Sequence, residues 1–150
     1  MTRVLLVCSP GGHLQQMLAL APAWQDLERH WVTLRAPDTE HELAGEAVTW
    51  AHGPTNRSLA KLARNALLAR EVLRTVDPDV VLSTGAALAV PFLLGARATG
   101  RRAVYVESFT RVEELSLSGR LVYPFVDELF VQWPQLAARR RRARYAGSVL

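Results

Sequence analysis

The sequence predicts an α/β fold in which an open parallel sheet is covered by helices on both faces. Three observations carry that reading. Short, unbroken apolar runs rich in valine, such as residues 4–7 (VLLV) and 80–82 (VVL), suit strands buried on both sides. These runs alternate with longer stretches in which apolar residues recur at helical spacing. The chain has 150 residues, 49% of them apolar and 21% charged, enough to bury one core and the size of one domain. Strands alternating with helices imply right-handed βαβ units, so residues 1–150 are expected to form a single doubly wound domain.

The elements follow in order. Residues 3–8 (RVLLVC) read as a central strand, stopped by Ser9-Pro10-Gly11-Gly12. Residues 13–24 carry Leu14, Met17, Leu18 and Ala21 on one helical stripe. Residues 30–35 (HWVTLR) and 47–51 (AVTWA) read as two further strands. Ser58 is suited to cap a long helix running to Val76, which Asp77-Pro78 ends. A strand at 79–84 (DVVLST) leads into a helix over 87–99, closed by Gly100. Residues 102–107 (RAVYVE) and 127–132 (DELFVQ) complete the strands.

Composition removes several classes of function. The single Cys8 excludes an intrachain disulfide, and one thiol with four scattered histidines offers no structural zinc set. Cys8 falls in a core strand, where a small buried hydrophobe is the natural reading. The uncharged stretch 80–96 holds Ser83, Thr84, Gly85 and Pro91, so it reads as strand, turn and helix; no signal peptide or membrane span is expected. The net charge is +4, and seventeen of the eighteen cations are arginine. A GC-rich genome explains that bias as well as a ligand would. The densest block, residues 139–144 (RRRRAR), suits nucleic acid, anionic lipid, an acidic partner or a solvated helix; it contains no aromatic residue for stacking on bases. There is no G-x-S-x-G elbow, no H-E-x-x-H pair, and no Walker or G-x-G-x-x-G loop.

In an open parallel sheet, ligands bind beyond the carboxyl ends of the strands, near the switch in strand order. Three loops at that edge carry chemistry. Ser9-Pro10-Gly11-Gly12-His13 joins a strand to a helix, with glycines that let a ligand approach backbone amides and a histidine able to move a proton. Each motif also has a bland reading: a tight turn for this one, and close backbone packing for Thr84-Gly85. Glu107-Ser108 ends an apolar strand on a carboxylate, expected to face the same cleft as His13. The cations Arg57, Lys61 and Arg64, at the start of the helix capped by Ser58, together with the apolar stretch 115–125 (LSLSGRLVYPF), suit an anionic bilayer surface.

Taken together, SPGGHLQQM, PDVVLSTGAALAVPF and YVESFTRVEELSLSGRLVYPFVDELFVQWPQL resemble one family across nearly the whole chain. It is the anchoring subunit of the dolichol-linked UDP-N-acetylglucosamine transferase, with bacterial relatives in capsule and exopolysaccharide synthesis. The chain is also similar to the acceptor half of the enzyme that makes lipid II. The resemblance implies a Rossmann-like domain equivalent to the N-terminal half of a GT-B glycosyltransferase. It implies a subunit, inactive alone, that binds a polyprenyl-diphosphate-linked sugar. A separate polypeptide would bring the UDP-glucose or UDP-N-acetylglucosamine site. It further implies peripheral attachment to the cytoplasmic face of the plasma membrane, no metal and no cofactor. The family pattern falls on Gly11, Gly12, His13, Gly85 and Glu107, with His13 or Glu107 as the base; the loop reading adds Ser9, Thr84 and Ser108 to the acceptor phosphate site, and the surface reading sets Arg57, Lys61 and Arg64 at the membrane. The competing readings are a small nucleotide-binding module and a basic nucleic-acid-binding protein. The first lacks its glycine fingerprint and has Arg35-Ala36 where an acid should end the second strand; the second explains none of the three loops.

Overall fold

In the computed structural model, which describes residues 1–54 and 58–149, one seven-stranded sheet forms the centre. Its strands are β1 (Arg3–Cys8), β2 (Glu28–Thr33), β3 (Val48–Trp50), β4 (Val80–Gly85), β5 (Arg102–Val106), β6 (Glu128–Val131) and β7 (Ala143–Tyr145). All pairings are parallel, in the order β3-β2-β1-β4-β5-β6-β7. The chain winds outward from β1 to β3, crosses back to β4, and winds outward the other way. The strand order therefore switches between β1 and β4.

The helices are α1 (Gly12–Ala19), α2 (Ala21–Trp24), α3 (Pro37–Glu42), α4 (Leu59–Val76), α5 (Ala89–Ala98), α6 (Leu117–Val122) and α7 (Pro134–Arg139). The expected helix over 13–24 is thus two pieces, broken at Leu20. Pro22 sits in the first turn of α2, where its missing N–H costs nothing, but it cannot continue α1. Ser58 caps α4 by accepting the Lys61 N–H at 3.2 Å, and Asp77 ends it in the left-handed conformation. The strands expected at 30–35 and 47–51 lie at Glu28–Thr33 and Val48–Trp50. Elements α3, α6, α7 and β7 have no counterpart in the sequence reading: each is three to six residues long, too short for a periodic signal.

Two cores flank the sheet. On one side α4, α5, α6 and α7 bury Leu5, Val81, Phe92, Leu93, Tyr105 and Leu129. On the other, α1 and α2 bury Val4, Leu6, Cys8, Met17 and Trp31. Trp24 packs edge-on against Trp31, its indole N–H donating to Met17 O at 3.0 Å. This second cover stops short of β5 and β6. Val80, Leu82, Val104 and Phe130 stay half-buried there, lining an apolar groove of about 410 Å³ closed at one end by residues 146–149.

Part of the arginine block is held by the fold, while Arg139, Arg141, Arg142 and Arg144 remain exposed. Arg142 donates to the carbonyls of Tyr123 and Val126, Arg144 pairs with Glu128 at 3.0 Å, and Arg140 lies over the Tyr123 ring. Rather than a solvated helix, residues 140–145 close the last turn and add an edge strand.

Candidate functional site

The carboxyl ends of β1 and β4 meet at an irregularity: Val7 pairs with Ser83, but Cys8 pairs with Gly85, leaving Thr84 as an extra residue. Thr84 uses that position to grip the first loop. Its hydroxyl donates to His13 O at 2.6 Å, and its carbonyl lies 2.9 Å from His13 Nδ1. A carbonyl can only accept, so Nδ1 carries a proton, and in the neutral ring Nε2 is the nitrogen with the lone pair. Gly85 follows at φ +126°, and a Cβ there would fall 2.9 Å from the imidazole and 3.3 Å from the Tyr105 hydroxyl. The ring is therefore packed against bare backbone, half-exposed, with one nitrogen committed.

Gly11 opens α1 at φ +80°, and its N–H donates to Asp38 Oδ2 at 2.7 Å. In this structure that amide is bonded to α3. No partner is recorded for the N–H groups of Gly12, His13 and Leu14 among the described residues. These first-turn amides are the ones left to meet an anion. Both glycines have open space where a side chain would project.

Glu107 does not face open solvent beside His13. It is 1% exposed. One oxygen accepts the Ser108 N–H at 2.9 Å; the other accepts the Ser116 N–H at 2.8 Å and the Ser116 hydroxyl at 2.9 Å. Tyr105 approaches the first oxygen at 3.4 Å, and burial together with this carboxylate pushes its phenol pKa up. A side chain on Gly119 would overlap the second oxygen. The carboxylate thus ties the end of β5 to the start of α6. Ser108 hydrogen-bonds Thr110 through its hydroxyl at 2.9 Å, and Ser9 is half-exposed at the mouth of the loop.

Sequence reasoning missed several residues that build this edge. Gln16 and Gln132 are buried and bonded to each other; Gln16 also accepts the Phe109 N–H at 3.1 Å, and Gln132 donates to Glu107 O at 3.0 Å and accepts the Val149 N–H at 2.8 Å. The available signal was a polar side chain at positions whose periodicity demands burial: Gln16 beside Leu14 and Met17, and Gln132 at the end of an apolar strand. Cys8 lies beneath the same loop, its thiol pushed up to about 12 chiefly by burial and secondarily by Asp38. It is a buried apolar group rather than a nucleophile.

The expected membrane residues separate. Arg57 lies outside the described residues. Lys61 is half-buried and Arg64 exposed, both on α4. In the stretch 115–125, Leu115, Gly119 and Val122 are buried, whereas Leu117, Leu121 and Phe125 are 73%, 50% and 52% exposed. No helix among the described residues is long and apolar enough to cross a membrane, and no group of three His, Cys, Asp or Glu side chains among them is placed to hold a metal ion.

The family described as "Oligosaccharide biosynthesis protein Alg14 like" matches residues 52–149. The chain belongs to the Alg14 family. Among curated members, the UDP-N-acetylglucosamine transferase subunit ALG14 of Eremothecium gossypii is 48% identical over 103 residues, which covers 64% of this chain and 45% of that protein. The human protein of the same name is 35% identical over 85 residues, covering 53% and 39%. The Alg14-like chain thus spans less than half the length of the first relatives it matches. Two solved structures share its fold at low identity. Acinetobacter baumannii MurG superposes with a TM-score of 0.75 at 16% identity, over 90% of this chain and 43% of that one. The Staphylococcus aureus MnaA–UDP structure gives 0.78 at 15% identity, over 99% and 46%. The architecture is that of the N-terminal half of GT-B enzymes.

Proposed function

We propose that this chain is the acceptor-binding subunit of a two-component glycosyltransferase, and that it binds a polyprenyl-diphosphate-linked sugar at the cytoplasmic membrane face. A partner brings the UDP-sugar, and the names of the curated relatives favour UDP-N-acetylglucosamine. The observation that carries the reading is the fixed His13 ring at the switch point, with Nδ1 bonded to Thr84 O, while Nε2 and the first-turn amides of α1 have no partner among the described residues. Those amides and the positive end of α1 would hold the acceptor diphosphate, as helix amino termini hold phosphates elsewhere. Oriented by Thr84, Nε2 takes the proton from the acceptor hydroxyl. That oxygen bonds to the anomeric carbon as the bond to the UDP oxygen breaks, and UDP leaves with the electron pair. Glu107 acts as a positioning residue: with both oxygens bonded and 1% exposure, it holds the 108–116 loop rather than reaching the substrate.

The uncovered sheet face along β4, β5 and β6, beside residues 146–149, is the surface offered to the partner. The test is reconstitution with a donor-binding chain. Neither chain alone should transfer sugar, and the pair should. His13→Ala should cut transfer by about 10²–10⁴-fold, the worth of a positioned base, and added imidazole should restore part of it. Glu107→Gln should lower activity with no imidazole rescue. Turnover by the isolated chain, or His13→Ala at wild-type rate, refutes the assignment.

A further inference from the structure

The amino-terminal part of α4 and the short helix α6 leave leucines in water. Leu59 is 83% exposed, Leu62 40%, Leu117 73% and Leu121 50%. With Ala87 and Val90 as a floor, they line a groove of about 270 Å³ between α4 and α6. In a parallel α/β sheet the helices run against the strands, so the amino-terminal turns of α4, α5 and α6 all lie at the carboxyl edge of the sheet, the edge that carries His13. The floor begins two residues after Gly85, which touches the His13 ring, and the α6 wall hangs from Glu107 through Ser116. Lys61 and Arg64 rise from the same turns of α4.

From this we infer that the groove is a binding site for the phosphate-proximal isoprene units of the acceptor, a guided seat for the tail rather than a face that only rests on lipid. The inference rests on the acceptor reading above and names the part of the ligand that this surface takes. Three features favour a prenyl chain. The walls are aliphatic, branched and free of aromatic side chains, matching a methyl-branched chain. At about 270 Å³ the groove is smaller than the roughly 300–1,000 Å³ pockets of drug-sized ligands, which suits a short stretch of chain. It also opens at the edge where the diphosphate would sit, so one ligand can span both.

The test is photo-crosslinking of the full chain, without partner, using a benzophenone-bearing farnesyl diphosphate in neutral detergent, followed by peptide mapping. The label should fall on residues 58–64 and 117–121 and be competed by geranylgeranyl diphosphate. Leu62→Ser/Leu117→Ser should cut labelling about tenfold while leaving the thermal midpoint unchanged, since both side chains are exposed. Label concentrated on the sheet face at Val104 and Phe130, or unchanged in the double variant, overturns the groove. Geranylgeraniol competing as well as its diphosphate would keep the groove but refute its link to the amide site. The acceptor reading fails separately, if the reconstituted pair transfers no sugar to either a prenyl or a short-alkyl diphosphate acceptor. A double variant that raises KM for the short-alkyl acceptor as much as for the prenyl one also refutes the tail assignment.

Discussion

Gly119→Ala is the sharpest test of how this edge is built. The new Cβ would overlap Glu107 Oε2 and lie 3.2 Å from Ser116 Oγ, so the carboxylate must withdraw. Withdrawal breaks the bonds from the Ser116 N–H (2.8 Å) and hydroxyl (2.9 Å). Hydrogen bonds to a charged group contribute about 1.5–3 kcal/mol each, and Glu107 is buried, so no solvent replaces them. Against this, alanine is favoured over glycine in a helix by about 1 kcal/mol. The net expectation is a loss of roughly 2–5 kcal/mol, or about 5–15 °C in midpoint for a domain of this size. Urea and thermal denaturation followed by circular dichroism measure it. Gly12→Ala is the control: its Cβ meets open space and φ is not positive, so its effect should stay within about 0.5 kcal/mol. Adding Glu107→Ala should remove the clash, so the double variant should lose less than the sum of the singles. An unshifted Gly119→Ala midpoint, or strict additivity, refutes the clamp.

Other outcomes follow from the same structure. Arg29 holds the Glu46 carboxyl below its ordinary value of 4.5, with Trp31 also donating to it. A depressed folded-state value stabilises the fold above the unfolded carboxylate range and loses that contribution as pH falls through the folded value. The midpoints of wild type and Glu46→Gln should therefore differ at pH 7 and converge in acid below the ordinary value; parallel curves would refute the pairing. At the membrane, Lys61→Gln/Arg64→Gln should weaken sedimentation with anionic vesicles, and wild-type binding should fall as salt shortens the screening length to about 8 Å at physiological strength. Equal binding to neutral vesicles would remove the electrostatic contribution.

What the sequence determined by itself was the layered α/β architecture, because strand burial and helix amphipathicity are local periodicities readable over a few residues. The runs at Arg3–Cys8 and Val80–Gly85 announced their strands, and Ser58 and Asp77-Pro78 announced both ends of α4. The resemblance carried by GGH, STG and YVES pointed to loops that the fold brings to the carboxyl edge of the sheet. Only the tertiary structure decided what those residues do. His13 gains its tautomer from Thr84, 71 residues away, and Gly11 loses its amide to Asp38, 27 away. Glu107, read as a possible base, is enclosed by Ser108, Ser116 and the space of Gly119. Within the arginine block, the strongest charge signal in the chain, Arg144 pairs with Glu128 and Arg142 holds the carbonyls of Tyr123 and Val126. A sequence displays which groups a segment owns. Which of them remain unbonded depends on partners that long-range folding brings within about 3 Å, and that residue of free donors and acceptors is where chemistry can occur.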